Sequence, residues 1–216
     1  MAKNNLTGYG RLLSLDALRG FDMMFIMGLS GIIISICALF PDGDTSWLAM
    51  QMKHVKWEGF HHHDTIFALF LFISGMTFPF SSAKKLEKGM SKGTLTKDVL
   101  KRACILFFLG LVYQGLFQFH FSTLRFMSVL GRIGIAWALA AIIYCYTGRK
   151  TQYGIAAGIL IGYFFLLKFT IAPDAPAGAD SLSKMGNISY YIDRIILGNH
   201  AYKPYGDPER LLSTIP

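Results

Sequence analysis

A long apolar run from Phe21 to Phe40, broken only by Asp22, constrains this chain more than any other feature. About 20 apolar residues rising ~1.5 Å each span the ~30 Å hydrocarbon core of a bilayer. The charged segment Arg11–Gly20 directly precedes this run, and its Asp16 and Arg19 are three residues apart. On a helix they share a face and can pair. The segment is interpreted either as a plain membrane anchor or as charges with a task at the membrane entry.

The rest of the chain has the composition of a membrane protein. Hydrophobic residues make up 53% of its 216 residues and charged residues only 16%, whereas soluble domains carry about 25% charged residues. The positive charge lies in loops between apolar runs, which predicts the lipid bilayer and not nucleic acid as the partner. The pattern predicts an all-α polytopic membrane protein with about five transmembrane helices, at Phe21–Phe40, Thr65–Phe80, Ala103–Phe119, Phe126–Tyr146 and Tyr153–Ala172.

Three basic segments alternate with the other connecting segments. They are the N-terminal stretch, the loop Ser81–Arg102 with seven Lys and Arg, and the turn Gly148–Lys150. The positive-inside rule predicts that all three lie in the cytoplasm, together with the N-terminus. The segments 41–64, 120–125 and 173–216 are then expected on the opposite side.

Arg132 stands inside the fourth predicted span, where a guanidinium needs an anion or a ring of acceptors. It can hold a ligand, or it can form a structural pair with Asp22 or a helix dipole, and the structural pair is favoured. On the fifth span, small residues at every fourth position predict a close-packed helix face, at Gly154, Gly158 and Gly162.

The segment Met52–Asp64 carries the strongest candidates for chemistry. His61, His62 and His63 are adjacent, so their side chains point in different directions, and we expect no metal there. His54 is a better candidate, because an imidazole can take a proton and return it near neutral pH. Asp64 can orient that imidazole.

Five motifs occur in an order that resembles the heparan-α-glucosaminide N-acetyltransferase family and its bacterial relatives. They are Arg11–Gly20, Lys53–Gly59, Asp64–Gly75, Ser128–Ile133 and Asp207–Pro216. The resemblance implies a multi-pass acyltransferase of the bacterial inner membrane. Such an enzyme moves acetyl from cytoplasmic acetyl-CoA to an amino sugar or glycan acceptor on the periplasmic side.

The resemblance also assigns roles to individual residues. It makes His54 the active-site base or acetyl carrier, with Asp64 beside it, and acetyl-CoA the co-substrate, with no metal. Ser30 stands where lysosomal members have an active-site Asn. Trp57 either stacks on a sugar ring or is an ordinary interfacial Trp. The candidate substrate- and cofactor-binding residues are Asp16, Arg19, Ser30, Trp57 and Arg132.

Members of the resembled family continue beyond the last motif with further spans. Residues 1–216 are therefore expected to be a single transmembrane acyltransferase-like domain, the N-terminal part of a longer, C-terminally truncated membrane domain. A second copy of the chain, in a homodimer, is a candidate partner. Two alternatives stay open: an O-acyltransferase of envelope glycans, and a non-enzymatic transporter or assembly subunit.

Overall fold

The computed structural model describes residues 13–43, 46–121, 124–201 and 210–215. Arg11 and residues 207–209 of the last motif lie outside the described residues. The chain divides into two compact units, Met1–Lys84 and Lys85–Pro216, and each is described by itself. The described residues form eight α-helices, α1 Leu13–Met24, α2 Ser30–Cys37, α3 Trp47–Gln51, α4 His62–Glu87, α5 Lys92–Tyr113, α6 Val129–Tyr146, α7 Arg149–Phe169 and α8 Ile188–Leu197.

Four helical stretches in the described part of the chain are long and apolar enough to cross a membrane. They are Leu13–Cys37, which joins α1 to α2, and the helices α4, α6 and α7. Extended pairing is limited, within the same residues, to an isolated bridge between Ile171 and Asn187. The protein is therefore an all-α polytopic membrane protein, which confirms the prediction from hydropathy.

The third predicted span, Ala103–Phe119, differs most from the structure. Its helix, α5, begins at Lys92 and ends at Tyr113, and Gly115, with φ +95°, follows in the left-handed conformation. Because the first half of α5 carries basic residues, this helix is less apolar than the four stretches and is not one of them. Thr96, near its start, bonds Tyr146 at the end of α6, so the two helices run antiparallel over most of their length.

Within the first unit, the apolar stretch Leu13–Cys37 is interrupted between α1 and α2. The chain kinks at Phe25–Leu29, where Gly28 has φ +123° and ψ 4°, a non-helical conformation that L-residues with a side chain rarely adopt. Phe25, Met52 and Ile66 then form a buried apolar cluster, against which residues of α2 pack. This cluster fixes the loop after α3 and the start of α4 against the interrupted helix.

In the second unit, glycines allow α5 and α6 to approach closely. A Cβ added to Gly134 would lie 3.1 Å from the Ala103 carbonyl oxygen, and one added to Gly110 would overlap the Ser128 hydroxyl. Ser128 cannot simply turn away, because its Oγ accepts a hydrogen bond from the Gly131 N–H and caps α6. Small residues therefore determine how close these two helices lie.

The glycine face predicted on α7 is different. Around Gly154, Gly158 and Gly162, a Cβ would meet none of the described atoms within 4 Å. The close packing predicted for the α7 face is therefore not seen among the described residues, and glycines instead set the distance between α5 and α6.

Gly110→Ala should destabilise the protein, because the added methyl group displaces the Ser128 cap. We expect the free energy of unfolding to fall by about 1–3 kcal/mol, as for other overpacked sites. Gly154→Ala is the matched control, since its Cβ enters open space and Ala favours helix over Gly by up to about 1 kcal/mol. Thermal unfolding in detergent measures both, and equal stability of the two variants would contradict the close contact.

Candidate active site

The centre of the site is a hydrogen bond between His54 and Asp64, 2.7 Å from Nδ1 to Oδ1. His54 lies in the loop after α3, and Asp64 lies in the first turn of α4. A carboxylate oxygen can only accept, so Nδ1 carries the hydrogen and Nε2 of the neutral ring keeps its lone pair. The His54 side chain is 69% exposed and that of Asp64 24%. An acceptor can therefore reach the imidazole while the carboxylate orients it.

Backbone and side-chain bonds hold this loop against the start of α4. The second oxygen of Asp64 accepts from the His61 N–H at 3.0 Å, which caps the helix. The His61 ring donates to the Lys53 carbonyl at 2.8 Å, and Gln51 Oε1 accepts from the His62 N–H at 2.9 Å. His54 is therefore presented by a loop that is bonded on both sides of it.

A second histidine, His63, belongs to the site and was not singled out from the sequence. Its ring lies 4.4 Å from that of His54, and its Nδ1 lies 3.0 Å from the hydroxyl of Ser30. Ser30 is buried at the start of α2. The structure thus brings together His54, Asp64, His63 and Ser30. The signal available in the sequence was that His63 precedes Asp64 directly, so both occupy the first turn of one helix.

The adjacent histidines serve different contacts, as their spacing predicts. His62 packs its ring against Phe25, with 4.8 Å between centroids. Its Nδ1 is buried without a hydrogen bond, and it interacts electrostatically with Asp22. Across the described residues no group of three metal-binding side chains is arranged to hold an ion.

Asp22 is a further ionisable residue that sequence reasoning did not place in the site. It is 1% exposed, and its Oδ2 has no hydrogen-bond partner among the described residues. Ionisable groups within a membrane span are costly and are found where they have a function. Asp22 and His62 interact electrostatically and lie in the same unit as His54 and Asp64.

Three other residues that were predicted to bind substrate or cofactor, Asp16, Arg19 and Trp57, lie in the first unit. Asp16 and Arg19 form an ion pair within α1, with 3.9 Å between Oδ1 and Nη1, as their spacing predicts. Trp57 is half-buried three residues after His54 in the same loop.

Arg132 belongs to the second unit and contacts the end of the described chain. Its Nη2 donates to the carbonyl and the hydroxyl of Ser213, at 2.9 and 3.1 Å. Asp193 of α8 accepts from the Leu211 N–H at 2.9 Å and holds the same segment from another element. The guanidinium is therefore placed where it fixes residues 210–215 to α6.

Sequence comparison found similarity to two animal proteins. The chain is 24% identical to heparan-alpha-glucosaminide N-acetyltransferase of Homo sapiens over 252 aligned positions, which cover 95% of this chain and 36% of that protein. It is 25% identical to the protein of the same name of Mus musculus over 210 positions, 76% of this chain and 32% of that protein. No protein-family model matches the chain. The chain thus spans about a third of the length of each of these relatives.

Proposed function

We propose that the protein is a membrane-embedded acetyltransferase that moves acetyl from acetyl-CoA to an amino sugar or glycan acceptor. The observation that carries the proposal is the exposed His54 imidazole, oriented by Asp64 through a 2.7 Å hydrogen bond. The names of the two relatives support acetyl transfer as the reaction. The apolar helices support a multi-pass membrane location for it.

In the direct route, the acceptor nitrogen or oxygen attacks the thioester carbonyl while His54 Nε2 takes its proton. A bond forms from the acceptor atom to the carbonyl carbon, the carbon–sulfur bond breaks, and the CoA thiolate leaves and is then protonated. In the second route, Nε2 attacks the thioester carbonyl first, the carbon–sulfur bond breaks and the CoA thiolate leaves. The acceptor then attacks the acetyl group, the bond from Nε2 to the carbonyl carbon breaks, and the acceptor's proton passes to the released imidazole. Asp64 stabilises the charged imidazole in both routes, and His63 lies beside the ring with Ser30 behind it.

The reaction would link the two sides of a bacterial inner membrane. In this arrangement α5, which has 22 residues and lies antiparallel to α6, is a fifth crossing beside the four apolar stretches. The N-terminus, the loop 81–102 and the turn 148–150 then lie in the cytoplasm, where acetyl-CoA is made, and the His54 loop faces the periplasm. The length of α4, 26 residues starting at His62, is sufficient to separate the two sides.

This orientation predicts which cysteines can be labelled in intact cells. In a background without Cys37, Cys104 and Cys145, a cysteine at position 92 should resist an impermeant maleimide, and one at position 56 should react. Both Lys92 and Lys56 are exposed, so burial does not explain a difference between them. Labelling at 92 with protection at 56 would reverse the orientation.

The function is tested with the purified chain in liposomes, supplied with radiolabelled acetyl-CoA on one side and glucosamine on the other. Acceptor-dependent appearance of labelled N-acetylglucosamine is expected. Transfer to a hydroxyl of an N-acetylated sugar would identify O-acetylation instead, and acceptor-independent release of CoA alone would contradict the proposal.

A further inference from the structure

A cavity of about 300 Å³ opens in the second unit, whereas His54 and Asp64 belong to the first unit. Its wall combines two cations with hydrogen-bonding and apolar side chains, from Leu86, Lys92, Tyr144, Cys145, Thr147, Arg149 and Gln152. The cavity is open to the surface on one side, and its volume is at the lower end of that of small-molecule sites. This volume can hold one anionic group of a ligand and part of the ligand that carries the group.

The positions of Lys92 and Arg149 in their helices are electrostatically unfavourable for a cation. Lys92 is the first residue of α5 and Arg149 the first residue of α7, and neither helix has an acid in its first turn. The N-terminal end of a helix carries partial positive charge, so cations there are repelled and anions are favoured. Two such ends beside one cavity leave a local excess of positive charge that an anion would relieve.

The helices α5, α6 and α7 supply no unpaired acid beside this charge. The helices α6 and α7 contain no Asp or Glu, and the only acid of α5, Asp98, pairs with Lys85 at 3.1 Å. Lys92 and Arg149 form no ion pair with any described residue. Glu87 neighbours Leu86 in sequence but does not line the cavity.

The negative end of α6, which also borders the cavity, is already satisfied by protein donors. Gln152 Nε2 donates to the carbonyl oxygens of Tyr144 and Thr147, at 3.3 and 3.0 Å. The Thr147 hydroxyl donates to the Ile143 carbonyl at 2.6 Å. Protein donors thus satisfy three carbonyl groups at this helix end, which reduces their attraction for Lys92 and Arg149.

We propose that this cavity binds a phosphate ester through Lys92 and Arg149. The phosphate can come from a soluble nucleotide, such as the adenosine phosphates of coenzyme A, or from the headgroup of an anionic lipid. Arg149 presents a planar fork of donors and Lys92 a compact charge, a combination suited to phosphate oxygens. In its coenzyme form the proposal rests on the acetyl transfer proposed above, whereas in its lipid form it stands without it.

The test measures binding by the whole chain in nanodiscs of neutral phosphatidylcholine. One arm titrates adenosine 3′,5′-bisphosphate, which lacks the thioester, and the other adds phosphatidylglycerol and measures its retention by native mass spectrometry. The double variant Lys92→Gln/Arg149→Gln removes both cations. The control Lys97→Gln/Lys150→Gln removes the same charge from exposed positions on the same two helices that do not line the cavity.

We expect the double variant to bind one of the two probes about ten- to hundredfold more weakly than wild type, as for the loss of charged hydrogen bonds. The control should change binding less than threefold. Loss with the bisphosphate identifies a soluble phosphate, and loss with phosphatidylglycerol alone identifies a lipid headgroup. The proposal fails if neither probe responds, or if the control weakens binding as much as the double variant.

Stability without ligand provides the second readout. Since both cations oppose their helix dipoles, the double variant should melt at the same temperature as wild type or higher in neutral detergent. A lower melting temperature would make the two side chains structural and overturn the proposal. Because neither readout requires turnover, a chain that binds phosphate but transfers no acetyl contradicts only the proposed enzyme activity.

Discussion

Replacing His54 with alanine should reduce acetyl transfer by about 10²–10⁴-fold, the range typical for loss of a general acid–base group. The imidazole is 69% exposed, so its removal costs little packing, and the variant should fold and insert as wild type does. The initial rate of acetyl transfer from labelled acetyl-CoA in liposomes gives the effect on the reaction. Thermal unfolding of the same preparation shows that the protein is intact.

A matched control is His120→Ala, which removes another exposed histidine, from a connecting segment of the second unit. Its transfer rate should remain within about twofold of wild type, as for surface residues remote from the chemistry. Asp64→Asn keeps the shape of the side chain but removes the charge that stabilises the imidazolium, so it should slow transfer less than His54→Ala. Near-normal transfer by His54→Ala would remove this residue from the mechanism.

Arg132→Met should lower thermal stability in the absence of any ligand. The substitution removes two hydrogen bonds from the guanidinium to Ser213, which tie residues 210–215 to α6. Hydrogen bonds from charged groups contribute about 1.5–3 kcal/mol. For a chain of this size 1 kcal/mol corresponds to about 2–4 °C, so the melting temperature should fall by several degrees.

Two further variants separate a structural role of Arg132 from ligand binding. Arg132→Lys keeps the charge but loses the planar fork, so its melting temperature should lie between those of wild type and Arg132→Met. Lys150→Met removes an exposed charge and should leave the melting temperature unchanged. If Arg132→Met weakened acetyl-CoA binding with no change in melting temperature, the guanidinium would be a phosphate ligand and the structural role would be wrong.

Hydropathy predicts the membrane helices well because a bilayer requires a fixed length of apolar chain. The predicted runs Phe126–Tyr146 and Tyr153–Ala172 overlap α6 and α7 almost fully. The start of α5 is predicted poorly, at Ala103 in place of Lys92, because Lys and Arg are good helix formers that a hydropathy threshold rejects. One of these cations, Arg102, lies over the Trp137 ring, 5.0 Å from its centroid, which stabilises its charge beside α6.

The site was predictable only where its members are close in sequence. His54 and Asp64 lie ten residues apart around one loop, and the structure contains the hydrogen bond that this proximity predicts; their catalytic role stays a prediction. Ser30 bonds His63 across 33 residues, and Asp22 interacts electrostatically with His62 across 40, which no local pattern encodes. Asp22 and Ser30 lie on either side of the kink at Gly28, which the hydropathy of the span does not reveal.

The interruption at Phe25–Leu29 makes the site sensitive to the number of residues in that turn as well as to their identity. Deleting one residue there, Ile26 for example, would leave composition and span length almost unaltered. The deletion would rotate α2 by roughly 100° about the helix axis relative to α1. Ser30 would then turn away from His63 while Asp22 kept its place. The rotation of α2 relative to α1 is therefore itself a determinant of the site. Inserting or deleting one residue between the two helices should be tolerated far less than a conservative substitution there.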